Sequence, residues 1–261
     1  MLAFIGYVGA LLIGIVLGIT GGGGSILTVP VLVYILRLNP LIATAYSLFI
    51  VGTTSAFGTF QNFKKGLVAP KTALQFAIPS VLGVYLTRKY IVHNLPDVLF
   101  YFGSLKLSKA TFLMLLFALV MVMASYSMLK TQKELSNAAS KGSIRVIIEL
   151  FFVGVLIGLI GAGGGFLIIP ALVKLAKLPI KKAIGTSLLI ITINSLVGFT
   201  GDLSNTFIDW HFLLPFTGVS ILGIFIGIKI QHLINEKLLK QIFGYFVLLM
   251  AGVILFRELF S

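Results

Sequence analysis

Two short glycine-rich runs are the residues most able to do chemistry in this chain. The first spans 21–25 and the second spans 161–165, 140 residues further on. Both interrupt long apolar segments, where each glycine costs a helix about 1 kcal/mol relative to alanine. Lipid cannot hydrogen-bond the freed backbone groups, so such breaks persist only inside protein or beside a wet cavity. For one run alone, a close-packing or hinge role is as good an explanation as a binding site. Two runs at equivalent places favour a binding site.

The chemistry that such breaks offer is anion binding. Segments 25–36 and 166–176 are too short to cross a membrane and are typical of half-helices that begin in the glycine runs. A helix N-terminus presents unpaired N–H groups and about half a positive charge, and glycine lets a ligand approach the backbone closely. We therefore expect a site for a small anion. Its predicted residues are Gly21, Gly22, Gly23, Gly24, Ser25, Gly161, Gly163, Gly164 and Gly165.

The segment after each run adds polar side chains on one helical face. These side chains fall within about 100° of arc at 100° per residue. They are Ser47, Thr54 and Ser55 in the first half, and Ser187, Asn194 and Ser195 in the second. Small hydroxyl residues also let transmembrane helices pack closely, so packing and site lining are equally good explanations. Asn194 is the strongest candidate, because its amide can donate two hydrogen bonds to an oxyanion.

The charged residues and the lack of enzyme motifs argue against a metal site, a cofactor and an enzymatic function. All seven acidic residues lie in loops or near segment ends, so we expect no carboxylate in the core. The three histidines show no ligand spacing and cysteine is absent, so we expect no metal and no cofactor. The sequence lacks the zinc-protease, phosphate-loop and serine-hydrolase motifs. We therefore expect that the protein is not an enzyme.

The composition defines a membrane protein. Hydrophobic residues make up 58% of the 261 residues, charged residues only 10%, and the mean hydropathy is +1.11. The net charge of +13 comes from Lys and Arg in short loops, where they set orientation and contact anionic lipid, so we expect no nucleic-acid partner. The expected partners are the lipid bilayer and a small anionic substrate, with a homo-oligomer left open.

Eight apolar units arranged in two halves predict an all-α polytopic fold. They span 2–36, 40–61, 68–87, 109–129, 146–176, 183–200, 211–228 and 238–256. At an offset of 140, glycine, proline and serine positions of the first half meet identical residues in the second. We therefore predict repeat 1 over 1–129, a cytoplasmic connector over 130–145 and repeat 2 over 146–261. Residues 88–108 are predicted to form an interfacial loop or a short surface helix.

The distribution of basic residues indicates how the halves are oriented. If each broken unit crosses once, the twenty basic residues divide twelve to eight. If each broken unit returns as a hairpin, they divide fourteen to six, and the halves become inverted copies. The positive-inside rule favours the second arrangement. Both arrangements place the two termini outside the cytoplasmic membrane.

The glycine motif and its echo resemble one family. The pattern Gly18-x-x-Gly-Gly-Gly-Gly-Ser-x-x-x-x-Pro30, followed by Ala43-x-x-x-Ser47-Leu48, is similar to that of the TauE/SafE-type sulfite exporters. The resemblance implies transport of sulfite, sulfonates or related organosulfur anions. We expect alternating access of the two halves. A passive anion channel on the same scaffold and a membrane assembly subunit without transport remain alternatives.

Overall fold

In the computed structural model, residues 2–102, 105–129, 143–231, 233 and 235–260 are described. Within these ranges the chain forms ten α-helices and one small hairpin. The helices are α1 Leu2–Thr20, α2 Gly24–Pro30, α3 Pro40–Lys64, α4 Pro70–Leu86, α5 Lys109–Leu129, α6 Ser143–Ile160, α7 Gly165–Leu175, α8 Ile180–Asp202, α9 Trp210–Ile230 and α10 Glu236–Phe260. Short π-helical turns continue α2 over Val31–Ile35 and α4 over Thr87–Val92.

The fold is that of an all-α polytopic membrane protein. Among the described residues, four helical stretches are long and apolar enough to cross a membrane: Pro40–Lys64, Lys109–Tyr126, Ile180–Asp202 and Trp210–Ile230. Large apolar side chains such as Phe60 are exposed on the outside of the bundle, as lipid contact requires. Each broken unit is divided at its glycine run into two helices.

The prediction for residues 88–108 was wrong. The chain continues α4 to Val92 and then forms an antiparallel hairpin of β1 Val98–Phe102 and β2 Leu105–Ser108. The sequence of β1, Val-Leu-Phe-Tyr-Phe, is rich in aromatic residues that favour strands. The predicted connector 130–145 lies outside the described residues up to 142, and α6 already begins at Ser143.

The first broken unit folds back on itself. Cβ atoms built at Gly6 and Gly9 in α1 would lie 2.7 Å from Leu36 and 2.9 Å from Val31. At the other end of α1, Leu17 lies beside Gly24. The order of contacts is therefore reversed, and α2 runs antiparallel to α1 as a helical hairpin.

Helices from different halves pack together through small residues. Gly14 and Gly18 of α1 lie against the backbone of α9 at Ser220 and Ile224, so that the two helices run parallel. A Cβ at Gly14 would overlap the Ser220 carbonyl oxygen. In the same way Gly154 of α6 lies against Ser80 of α4. These glycines allow helix backbones to approach closely.

The centre of the bundle is formed by α3 and α8. These helices are antiparallel, because Gly52 faces Leu196 whereas Gly58 faces Leu188. Helix α3 runs parallel to α9, because Thr54 meets Ser220 and Gly58 meets Ile224. Helix α8 runs parallel to α4, as the Asn194–Ser80 and Gly198–Val84 contacts show. Hence α1, α3 and α9 point one way, and α4, α6 and α8 point the other way.

Candidate anion site

The two glycine runs lie against each other at the buried centre of the protein. All residues of 21–25 and 161–165 are buried. The runs meet through backbone alone, since a Cβ built at Gly22 would lie 2.5 Å from the carbonyl carbon of Gly165. The structure thus brings both predicted runs into one place between α3 and α8.

Hydroxyl groups already occupy several backbone groups of the first run. The Gly23 N–H donates to Thr20 Oγ1 at 2.7 Å, and Ser25 Oγ donates to the Gly22 carbonyl at 2.6 Å. Ser187 Oγ of α8 donates to the Gly21 carbonyl at 2.6 Å. In this conformation Ser25 and Ser187 therefore stabilise the break itself.

The second run shares only part of its backbone conformation with the first. Gly21 and Gly161 have matching φ angles of +71° and +69°, whereas Gly163 and Gly164 add φ angles of +64° and +71°, a conformation that favours glycine. A Cβ at Gly163 would lie 3.0 Å from Ser195 Oγ. The serine hydroxyl of α8 therefore faces the middle of this run.

The six predicted side chains on α3 and α8 divide into three groups. The Ser47, Ser55 and Ser195 hydroxyls are buried and find no hydrogen-bond partner in the described part of the chain. Thr54 Oγ1 donates to Ser220 Oγ at 3.2 Å, and Asn194 Nδ2 donates to Ser80 Oγ at 2.9 Å. Those two side chains join helices, while Ser187 bonds the first run.

A buried ion pair beside the second run was not predicted. The side chains of Arg88 and Asp202 are each 1% exposed, and Arg88 Nη1 lies 3.5 Å from Asp202 Oδ2. Arg88 Nη1 also donates to Thr44 Oγ1 at 3.1 Å. His93 Nε2 lies 2.9 Å from Asp202 Oδ1. The expectation of a core without a carboxylate was therefore wrong.

The burial of Asp202 has a tertiary cause. Helix α8 ends at Asp202, but the π-helical continuation of α4 packs over that end, since a Cβ built at Gly201 would lie 3.0 Å from Arg88 Cβ. One signal in the sequence points to this pair: each of the two charged residues matches an uncharged residue in the other half. At the offset of 140, Arg88 corresponds to Ile228 and Asp202 corresponds to Asn62.

Broken helices that meet at the buried centre of an all-α membrane protein are typical of secondary transporters. The sulfite exporter TauE/SafE family model matches residues 7–254. The chain belongs to this family.

Similar proteins carry transporter names. A "probable membrane transporter protein" of Xylella fastidiosa (strain 9a5c) is 30% identical over 255 residues, covering 95% of this chain and 92% of that protein. The "probable membrane transporter protein YunE" of Bacillus subtilis (strain 168) is 26% identical over 281 residues, covering 96% of each. No solved structure matches the chain. Family and relatives together define an integral membrane transporter.

Proposed function

We propose that the protein moves sulfite, a sulfonate or a related organosulfur oxyanion across the cytoplasmic membrane, and that the two glycine runs bind it. The observation that carries the proposal is the set of buried hydroxyls on α3 and α8. Among the described residues Ser47, Ser55 and Ser195 have no hydrogen-bond partner. An unsatisfied buried hydroxyl is unfavourable by about 1–3 kcal/mol. An oxyanion bound at Gly163 would remove that penalty for Ser195, whose hydroxyl faces this glycine.

Alternating access follows from treating the halves as inverted repeats. Helix α1 is antiparallel to its counterpart α6, and α3 is antiparallel to its counterpart α8. The contact of α1 with α9 corresponds to the contact of α6 with α4. Inverted repeats around a central site allow one half to rock against the other. The buried glycine runs then represent a conformation closed to both sides.

The same arrangement supports an orientation of the protein in the membrane. The α1–α2 hairpin matches the division of basic residues into fourteen and six. The side with fourteen includes the α3–α4 loop with Lys64 and Lys65. By the positive-inside rule this side faces the cytoplasm, and both termini lie outside the inner membrane.

Flux into proteoliposomes tests this function. Labelled sulfite, sulfate, thiosulfate and taurine are supplied separately, and saturation and counterflow are measured. We expect saturable flux and counterflow for at least one sulfur oxyanion or sulfonate. Single-channel conductance without saturation would instead identify a passive channel, and absence of flux for every probe would contradict the proposal.

Removing one of two hydroxyls on α8 tests whether the anion binds at the glycine runs. Ser195→Ala removes an unpartnered donor beside Gly163, so we expect at least a tenfold weaker apparent affinity, from about 1.5–3 kcal/mol for a hydrogen bond to a charged group. Thr192→Ala is the matched control, because Thr192 Oγ1 bonds the Leu188 carbonyl of its own helix. Equal effects of both changes would argue against a site at the glycine runs.

A further inference from the structure

We propose that the guanidinium of Arg88 is the fixed positive charge that binds the transported anion, through its Nε and Nη2 atoms. This inference rests on the proposed transport function and specifies how its site recognises charge. Arg88 lies outside the two glycine runs in sequence, at the end of α4. The fold brings it to the second run.

Half of this guanidinium is occupied and half is available. Nη1 contacts Thr44 Oγ1 at 3.1 Å and Asp202 Oδ2 at 3.5 Å. Nε and Nη2 are buried and have no hydrogen-bond partner within the described ranges. A Cβ built at Gly161 would overlap Nη2. The Nη2 atom therefore lies directly against Gly161, where a residue with a Cβ atom would leave no room for it.

Unpaired donors of a buried cation are unfavourable. The Nε and Nη2 donors of arginine point in nearly the same direction and bind two oxygens of one anion. Sulfite and sulfonates each present such a pair of oxygens on one sulfur atom. The available edge thus fits a sulfur oxyanion, and the hydroxyl of Ser195 at Gly163 lies further along the same run.

One acidic and two basic side chains lie near Arg88, so the negative charge of Asp202 is not the only charge beside it. Asp202 neutralises part of the Arg88 charge, and the imidazole of His93 lies 2.9 Å from Asp202 Oδ1. Lys109 Nζ lies 3.3 Å from the Leu95 carbonyl and 3.5 Å from the His93 carbonyl at the same end of α4. Asp202 therefore acts as a positioning residue that holds Nη1, and Arg88 makes the direct contact.

Equilibrium binding of sulfite and of methanesulfonate to purified protein tests the proposal. The double variant Arg88→Gln/Asp202→Asn removes both charges, so that no unpaired charge stays buried. We expect it to fold and to bind either anion at least 30-fold more weakly than wild type. Lys89→Gln is the matched control, because Lys89 is an exposed neighbour that bonds Tyr85, and we expect a change below twofold.

The outcomes separate this proposal from the function on which it rests. If wild type binds none of the probes, the proposed function fails. If wild type binds and the double variant binds within twofold of it, only the role of Arg88 is overturned. Arg88→Lys keeps the charge but loses the paired donors, so we expect its affinity for the anion to lie between the affinities of wild type and the double variant.

A second measurement does not depend on the folding of Arg88 variants. In wild-type protein labelled with 15N-arginine, one Nε–H resonance should shift when sulfite is added. We expect the shifting resonance to persist in Arg37→Lys, Arg145→Lys and Arg257→Lys, which replace the other three arginines. Its loss in one of these variants, or no shift at saturating sulfite, would overturn the proposal.

Discussion

The two glycine runs have equivalent places in the sequence but different polar surroundings. At the first run, Thr20, Ser25 and Ser187 bond the backbone, and Ile184 packs on Gly21. At the second run, an arginine with two available donors lies against Gly161. The second break is bonded within the protein as well, since the Gly161 and Gly164 N–H groups donate to the Ile157 and Ala162 carbonyls. The difference therefore lies in the Nε and Nη2 atoms of Arg88, which have no hydrogen-bond partner among the described residues.

This difference separates what the halves share from what distinguishes them. The shared part is backbone packing, in which Gly14 and Gly154 contact Ser220 and Ser80 at corresponding positions. The distinguishing part is a pair of charges, because Arg88 and Asp202 correspond to Ile228 and Asn62. Corresponding backbone contacts are therefore accompanied by different charged side chains.

The largest expected effect comes from breaking the ion pair. Asp202→Ala leaves the Arg88 charge buried without its counter-ion, which destabilises proteins by about 3–5 kcal/mol. At the matching position, Asn62→Ala removes only a hydrogen bond from Nδ2 to the Gly58 carbonyl at 2.9 Å, a loss of about 1 kcal/mol. Unfolding in detergent measures both. Equal losses would show that the halves do not differ in this respect.

A smaller effect, alike in both halves, is expected for the packing glycines. Gly14→Ala and Gly154→Ala each force a methyl group into a facing backbone carbonyl, which destabilises by about 1–3 kcal/mol. Gly218→Ala in α9 is the control, because no atom lies within 4 Å of its Cβ position in the described structure. Melting temperatures should fall for the first two variants only. A fall in just one half would contradict a shared framework.

The helices could be predicted from sequence because their causes are local. Apolar length defines a span, and glycine followed by proline predicts a break, so each predicted unit overlaps at least one observed helix. The hairpin at 98–108 differs from the predicted loop or surface helix because its strands are only five and four residues long, too short for a clear periodic pattern. Strand-favouring residues such as Phe100 and Tyr101 were a local indication of it.

The ion pair could not be predicted in this way. Arg88 and Asp202 each end an apolar segment, and charges at segment ends are usually solvated. Their burial depends on α4 continuing past Leu86 and packing over the end of α8. That contact joins distant parts of the chain, so neither local composition nor hydropathy reports it. The glycine runs, by contrast, could be predicted from sequence, because their separation of 140 residues indicates two corresponding helix breaks.

The smallest effect concerns the two hydrogen bonds that join α8 to α4 and α3 to α9. Both amide atoms of Asn194 lie within 3.1 Å of Ser80 Oγ, whereas Thr54 reaches Ser220 through one contact at 3.2 Å. Interhelical bonds of this kind contribute about 0.6 kcal/mol and at most about 1.7 kcal/mol. We expect a larger coupling energy for the Asn194 pair, since its amide donates to Ser80 Oγ at the shorter distance, while the single Ser80 proton is directed to the Phe76 carbonyl at 2.8 Å.

Double-mutant cycles measure that difference, with Asn194→Ala and Ser80→Ala in one cycle and Thr54→Val and Ser220→Ala in the other. Each cycle subtracts the effects of the single changes, so the loss of side-chain packing cancels. Equal couplings would mean that the Asn194 amide joins its helices no more strongly than the Thr54 hydroxyl does. A larger coupling at Asn194 would instead assign its amide to holding α8 against α4 and leave the anion to Arg88 and the serines.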